Sequence, residues 1–359
     1  MDDLYKKLKR LGWDEELFNH VEGPIPENNQ LVRVTAVHKD KYTIDTGETE
    51  ISAEITGKLM FDADSPVDYP CSGDWVIAEI FDEGSFAIIN KILQRKTLLK
   101  RKTSGKKVEY QLIAANIDTA FIMQSLDTNY NLNRLERYLV MVNETGIEPV
   151  ILLSKSDLLS TDELENKLNE VSAHLPDIRV YAFSNVAETG IDKINETFQP
   201  GKTYCMLGSS GVGKTTLLNR LIGEIKFYTN EVREKDGKGR HTTTVRQLIS
   251  LDNGSLIIDT PGMRELGNIG VETGISETFD EIEKIAEDCR FNNCTHINEK
   301  GCAVLTALEE DKISEKRYKN YIKMKKESAH NKRTYLEKRR RDKEFGKMIK
   351  SVMKNKVKK

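Results

Sequence analysis

The run Gly208-Ser209-Ser210-Gly211-Val212-Gly213-Lys214-Thr215 has the spacing G-x-x-x-x-G-K-[ST], a pattern that holds polyphosphate. Its glycines let the backbone curl until successive N–H groups point inward, and the N-terminus of a following helix adds partial positive charge. Lys214 reaches the β- and γ-phosphates, and the Thr215 hydroxyl ligates Mg²⁺. A strand candidate, Thr203–Leu207, precedes the loop and a helix candidate, Thr216–Ile222, follows it, as the mechanism requires. Downstream, the apolar run Leu256-Ile257-Ile258 ends in Asp259-Thr260-Pro261-Gly262. Asp259 is placed there to hold Mg²⁺ through its water shell, and the Gly262 amide to sense the γ-phosphate. Between the two lies Gly237-Lys238-Gly239-Arg240-His241-Thr242-Thr243-Thr244, which suits a switch segment in which one threonine caps Mg²⁺ when triphosphate is bound.

A second set of residues suits base recognition. Guanine offers N1–H and N2–H₂ as adjacent donors, so one fixed carboxylate accepts from both and rejects adenine. Asp157 has that position in Ser154-Lys155-Ser156-Asp157, at the end of the strand candidate Pro149–Leu153, and Lys155 can lay its alkyl stem along the base. Ser184-Asn185, at the end of Val180–Phe183, can present a backbone N–H to the guanine O6. Taken alone, Ser-Lys-Ser-Asp also fits a helix N-cap. The order is base-reading segment, phosphate loop, switch, then Asp-Thr-Pro-Gly, whereas ordinary GTPases begin with the phosphate loop. Circularly permuted GTPases build the same sheet with the chain opened at another loop. Met263 stands where many GTPases carry a glutamine that orients water, and a thioether cannot do that. Slow intrinsic hydrolysis is therefore predicted, with His241 as the catalytic group that takes over; an exposed loop histidine is the alternative.

A third set suits a metal. Cys289, Cys294, His296 and Cys302 give C-x₄-C-x-H-x₅-C, three thiolates and one imidazole, which fits tetrahedral Zn²⁺. Four ligands leave no open position, so the site is expected to be structural. Buried free thiols are the alternative, as Cys71 and Cys205 are expected to be.

The 359 residues that position these groups predict two or three domains. Leu4 to Val21 reads as a short amphipathic helix ended by Gly23-Pro24. Period-two runs at Leu31–Val37, Lys41–Asp45, Thr49–Ile55, Asp74–Ile80 and Phe86–Leu93 then predict five strands of a small barrel of the oligonucleotide-binding (OB) type, with a sandwich fragment or an SH3-like barrel as alternatives. Lys96–Lys107 reads as a basic linker, either a flexible solvated connector or a segment that lies on phosphates. From Ala114, strand candidates at Thr119–Gln124, Pro149–Leu153, Val180–Phe183, Thr203–Leu207 and Leu256–Ile258 alternate with helical stretches, including Leu132–Glu144 and Thr161–His174. That alternation predicts a parallel sheet covered by helices. The remainder reads as helical, with Lys312–Lys326 and Thr334–Lys356 as separate helices. The expected division is 1–100 for helix and barrel, 101–270 for the α/β domain, and 271–359 for a helical metal-binding domain with a basic arm.

Net charge is −2, yet from Asp311 onward there are 20 Lys+Arg against 6 Asp+Glu, which leaves residues 1–310 at −16. A basic arm of this density is either a solvated tail or a phosphate-binding surface. Arg317, Lys319, Lys323, Lys325, Lys326, Arg339, Arg340, Arg341 and Lys343, with Tyr318, Tyr321 and Tyr335, are candidates for such a surface. No run approaches the ~20 apolar residues of a membrane span, and the acidic start Met1-Asp2-Asp3 is unlike a secretory signal, so a cytoplasmic protein without membrane partners is expected.

Together, the five-stranded barrel, the permuted GTPase motif order and Cys289-Arg290-Phe291-x-x-Cys294-x-His296 with Gly301-Cys302-Ala303-Val304 resemble the small-ribosomal-subunit-dependent GTPase family RsgA, also called YjeQ or YloQ. The resemblance implies a bacterial cytoplasmic GTPase that is stimulated by the small (30S) subunit and its rRNA, acts late in subunit maturation and helps release assembly factors; a monomer is expected. It places nucleotide binding on Ser154–Asp157 and Leu207–Thr215, with Thr216 beside them, and zinc on Cys289, Cys294, His296 and Cys302. Three positions depart from the family pattern: Ser154 replaces the usual asparagine, Asn185 stands where alanine is frequent, and Lys300 replaces the proline common before the glycine. A P-loop ATPase, a GTPase of the large subunit and a nucleotide-gated rRNA-binding module remain alternatives.

Overall fold

The computed structural model describes residues 2–14, 23–38, 41–81, 84–103, 109–223, 246–260 and 270–356. Alternation of small and β-branched residues closes the first sheet. The strands β1 (Asn29–Val37), β2 (Tyr42–Asp45), β3 (Glu50–Ile55), β4 (Trp75–Phe81) and β5 (Phe86–Ile92) form a closed barrel in the order β1-β2-β3-β5-β4. Val32, Val34, Ile44, Ile51, Ala53, Val76, Ala78 and Ile89 fill its interior. This is the expected five-stranded barrel. The short helix α2 (Gly57–Asp62), capped by Thr56, connects β3 to β4.

The first helix, α1 (Asp2–Arg10), is shorter than the predicted Leu4–Val21. The chain turns at Gly12, whose φ of +83° glycine tolerates best and where a Cβ would lie 2.7 Å from Arg33 Nη1. Residues 15–22 lie outside the described set. Leu8, Leu11 and Trp13 pack on Leu31, Trp75, Ile77 and Leu93, sealing one flank of the barrel.

Within the basic stretch expected to be a linker, Leu98–Lys102 instead forms a strand, β6, paired in a two-stranded sheet with β7 (Tyr110–Ala115). Beyond it, β8 (Thr119–Ser125), β9 (Glu148–Ser154), β10 (Arg179–Ala182), β11 (Thr203–Gly208), β12 (Leu248–Ser250) and β13 (Leu256–Ile258) make a six-stranded sheet ordered β10-β9-β8-β11-β13-β12. All neighbours are parallel except β12, an antiparallel edge strand not predicted from the sequence. Strands β8, β9 and β11 are buried almost throughout, as expected of strands covered on both faces. The connecting helices are α3 (Leu132–Asn143), α4 (Thr161–His174), α5 (Ile191–Asn195) and α6 (Lys214–Ile222).

The chain divides into two compact units, one made of Met1–Lys100 with Leu112–Glu265 and the other of Arg101–Gln111 with Leu266–Lys359. The second unit contains α7 (Glu272–Thr278), α8 (Asp280–Ala286), α9 (Ala303–Glu309) and α10 (Glu315–Lys356). The last is one continuous 42-residue helix where the sequence suggested two. Among the described residues no helix is long and apolar enough to cross a membrane.

Candidate nucleotide site and metal cluster

Parallel pairing in register brings the C-terminal ends of β9, β8, β11 and β13 to one edge, where the ligands of open α/β sheets bind. The phosphate loop leaves that edge at Gly208, where φ is +152° and an added Cβ would meet the Met123 carbonyl at 2.5 Å. It enters α6 through Gly213, φ +94°. Thr215 and Thr216 occupy the first turn of α6, and Leu207 is buried in β11. Lys214 Nζ donates to the Gly208 carbonyl at 2.7 Å and the Ser209 carbonyl at 2.8 Å. Burial lowers its pKa to about 8, against the opposing charge of Asp259. Asp259, just past β13, is itself held above the usual carboxylate range by burial, which outweighs Lys214 and the Thr260 N–H. The Thr260 hydroxyl donates to the Met206 carbonyl and ties this turn to β11.

The two segments expected to read the base arrive at the same edge. Ser184 donates its hydroxyl to Asp157 Oδ1 and accepts from the Val186 and Ala187 amides, at 3.1 and 2.9 Å. Asp157 is thereby fixed in the short 3₁₀ turn Ser156–Leu158, whose Ser156 amide donates to the Phe183 carbonyl at 3.1 Å. Lys155 adopts φ +60° and pairs with Asp127 at 2.8 Å. Asp127 carries no motif that singles it out in the sequence. It follows the end of β8 by two residues, so in-register pairing with β9 predicts that it lies beside Lys155. Burial alone would raise its pKa, but the Lys155 ammonium, the Asn129 amide and the Ser125 hydroxyl together lower it to about 2.

Both segments reach onto the phosphate loop. The Ser154 hydroxyl donates to the Val212 carbonyl at 2.6 Å, and Asn185 Nδ2 donates to the Gly213 carbonyl at 3.3 Å. Arg220 on α6 donates to the Asn185 carbonyl at 2.7 Å and pairs with Glu188. Arg134 on α3 lies 3.4 Å from the Ser209 hydroxyl. Neither arginine is signalled by the sequence, because each acts from the surface of a helix chosen for its apolar face. His241, Thr242, Thr243, Thr244, Gly262 and Met263 lie outside the described residues.

In the second unit, the ligand atoms of Cys289, Cys294, His296 and Cys302 all lie within 4.8 Å of one another, so the cluster can hold a metal ion. His296 Nδ1 is 3.6 Å from Cys289 Sγ and 3.5 Å from Cys302 Sγ, and those two sulfurs are 3.9 Å apart. Metal–sulfur bonds of ~2.3 Å in a tetrahedron produce edges of this length. His296 takes φ +58°, and its carbonyl accepts from Tyr318 Oη at 2.5 Å. Burial would raise the Cys289 thiol, but the Val304 and Ala303 amides at the start of α9 hold it below its ordinary pKa.

The same contacts correct the expected phosphate-binding face of α10. Arg317 is buried, pairs with Glu281, donates to the Thr278 carbonyl at 2.9 Å and sits over the Phe279 ring. Tyr321 is fully buried against Phe279, and Tyr335 packs edge-on against Tyr110. Lys319, Lys323, Lys325 and Lys326 are exposed, and of these Lys319 pairs with Glu315 and Lys325 with Glu283. The side chains of Arg339, Arg341 and Lys343 lie outside the described set.

Residues 92–269 match the family described as RsgA GTPase. A relative from Vibrio parahaemolyticus, "Small ribosomal subunit biogenesis GTPase RsgA 2", is 38% identical over 98% of this chain and 94% of its own length. "Small ribosomal subunit biogenesis GTPase RsgA 1" of Bacteroides thetaiotaomicron is 36% identical over 99% of both chains. Among solved structures, YjeQ from Thermotoga maritima has a TM-score of 0.59 at 28% identity, covering 82% of this chain and 97% of its own. YloQ, described as a circularly permuted GTPase, has a TM-score of 0.59 at 21% identity, covering 87% and 99%, and is similar in fold.

Proposed function

The chain belongs to the RsgA GTPase family, and on that footing we propose that it hydrolyses GTP to GDP and phosphate in the biogenesis of the small ribosomal subunit. The observation that carries this reading is the junction of the base-reading loops with the phosphate loop, Ser154 to Val212 and Asn185 to Gly213, at one sheet edge. Asp157, oriented by Ser184, accepts from guanine N1–H and N2–H₂. The phosphate loop from Gly208 to Thr215 cradles the phosphates, with Lys214 on the β- and γ-oxygens. Thr215 and Asp259 hold Mg²⁺, and one of Thr242, Thr243 and Thr244, with the Gly262 amide, senses the terminal phosphate. His241 orients the attacking water in place of the residue at 263, and His241→Ala is expected to abolish stimulated turnover while nucleotide still binds.

The Cys289, Cys294, His296 and Cys302 cluster holds structural Zn²⁺, consistent with its sulfur-rich donor set and spacings. The three working parts are 1–100, 101–270 and 271–359. The chain works as a cytoplasmic monomer that contacts the 30S subunit and its rRNA and releases assembly factors.

The deciding experiment is GTP turnover by the whole chain, alone and with purified small or large subunits. Slow basal hydrolysis accelerated by small subunits alone is expected. Acceleration by large subunits, or binding to small subunits without turnover, would refute the assignment. Competition by ATP as effective as by GTP would refute the role of Asp157.

A further inference from the structure

Asn185 has a duty beyond lending its backbone to a base. Its Nδ2 donates to the Gly213 carbonyl at 3.3 Å, and a Cβ on Gly213 would lie 2.8 Å from that nitrogen, so the carboxamide rests directly on the loop glycine. Arg220, six residues into the helix that begins at Lys214, grips the Asn185 carbonyl at 2.7 Å. The loop after β10 is therefore fastened to the phosphate-binding element at two points, one on its peptide backbone and one on its helix.

The chemistry of the first point is directional. A trans peptide sets its N–H opposite its C=O. The Gly213 carbonyl accepts the Leu217 amide at 3.0 Å as the first bond of α6, and Asn185 adds a second donor to it, so the two together hold the Lys214 N–H the other way, into the cradle at the start of α6. Ser154 does the same one peptide earlier, where its hydroxyl holds the Val212 carbonyl at 2.6 Å and aims the Gly213 N–H. With that bond made, the Ser154 proton is committed to the loop. The Ser184 hydroxyl is committed to Asp157 and the Lys155 ammonium to Asp127.

A cost accompanies this arrangement. Asn185 Oδ1 is buried with no hydrogen-bond partner among the described residues. A buried acceptor without a donor destabilises a fold, and in native structures such a group calls for an explanation. We propose that Asn185 is a positioning residue that makes the phosphate cradle depend on the base-reading loop, with Arg220 as its second fastening. The proposal rests on the nucleotide-site reading above and deepens it. It assigns the Asn185 side chain to the phosphates, whatever purine the base loops select.

The test is the affinity of the full-length Asn185→Ala chain for GDP, IDP and 7-deaza-GDP, with the thermal midpoint of the nucleotide-free protein. Loss of one hydrogen bond predicts binding weaker by roughly three- to tenfold. The loss is expected to be the same for all three ligands and for inorganic pyrophosphate, which has no base; because the three nucleotides share O6, weakening of all three with pyrophosphate affinity unchanged would place the effect on O6 and overturn the proposal. The midpoint is expected to hold or rise, since an orphan acceptor has been removed. Arg220→Met is expected to reproduce the uniform loss, and it decides the matter if Asn185→Ala does not fold. A loss confined to GDP and IDP, which keep N7, would mean that the side chain reads the base, and unchanged affinity would mean that it does nothing for the ligand; either overturns the proposal. ADP binding the unsubstituted chain as well as GDP would defeat the guanine reading while leaving the fastening intact.

Discussion

Lys214 is the proposed phosphate-binding cation, and burial lowers its pKa to about 8. A bound polyphosphate favours the charged ammonium, so the nucleotide complex keeps the proton well above that pH. The sign follows from this difference. Below pH 8 the free protein is already protonated and binding takes up no proton. Above it, binding must first restore the charge, so affinity falls as pH rises through 8. The protonated fraction of the free lysine drops from about 0.9 at pH 7 to about 0.1 at pH 9. GDP affinity at constant Mg²⁺ should therefore weaken by about tenfold between those values. Binding should take up about half a proton at pH 8. Titration calorimetry in buffers of different ionisation enthalpy measures both quantities at once. Affinity that is flat from pH 7 to 9, with no proton uptake, would show that burial does not hold the lysine near neutrality.

Asp157→Asn exchanges one acceptor for a donor and should weaken GTP binding by about 10–100-fold while improving xanthosine triphosphate, measured as competition for one fluorescent nucleotide. Arg33→Met removes a fully buried guanidinium that donates to the carbonyls of Leu11, Gly73 (3.1 Å) and Asn116 (3.2 Å). The Gly73 carbonyl keeps the Asn116 carboxamide, so two acceptors are left open. Relief of a buried charge, whose pKa is lowered to about 10 chiefly by burial, offsets part of that loss. The net expectation is about 2–4 kcal/mol, or a thermal midpoint lower by roughly 5–10 °C, and an unchanged midpoint would contradict it. Cys302 also caps α9 by accepting the Leu305 amide, so Cys302→Ser keeps a cap while removing one of the four proposed zinc ligands. Metal analysis should give one zinc per native chain and less in the variant, and α9 should lose hydrogen-exchange protection in the variant and after chelation.

The barrel was legible because its inward residues are small or β-branched and alternate with outward ones along β3 and the first half of β5, for which the period-two pattern is the signal. The phosphate loop was legible because its chemistry demands particular residues at fixed spacing. The strand pair β6–β7 was hidden by the opposite circumstance. Its inward positions on β6 are Leu99 and Arg101, and the Arg101 guanidinium is satisfied by Gln111 at 3.1 Å, so a structured strand carries the composition of a solvated linker. The inner line of α10 was hidden for a related reason. Arg317, Asn320, Ser328 and Asn331 are buried there beside Tyr321 and Met324, and a polar inner face leaves no hydrophobic period to count. The segments proposed to read the base do lie at the ends of β9 and β10, where the sequence puts them. Their partners were not legible, because Asp127, Val212 and Gly213 are joined to them by pairing between strands distant in sequence.

The antiparallel edge strand β12 gives the permuted order a consequence that sequence alone does not show. The Asp259 amide donates to the Gln247 carbonyl at 3.1 Å, and Gln247 makes a β-bridge to Ala36 on the first barrel strand. One residue earlier, the Arg246 carbonyl accepts from the Ser72 hydroxyl at 2.7 Å, while the Ser72 carbonyl accepts from the Ala115 amide at 3.0 Å. The backbone at Asp259, the proposed Mg²⁺ ligand, is thus joined to the barrel through residues 246 and 247, which closely follow the proposed switch threonines in the chain. Ala36 lies at the irregularity in β1, where the pairing register with β2 shifts between Val34 and Ala36, and such a bulge leaves backbone groups available outside the ladder. A parallel strand at this edge would need a crossover connection to reach β13, whereas an antiparallel one needs only the tight turn at Asn253-Gly254. The edge strand therefore places residues 246–247 against the barrel, and their displacement strains hydrogen bonds to both the Asp259 turn and the barrel.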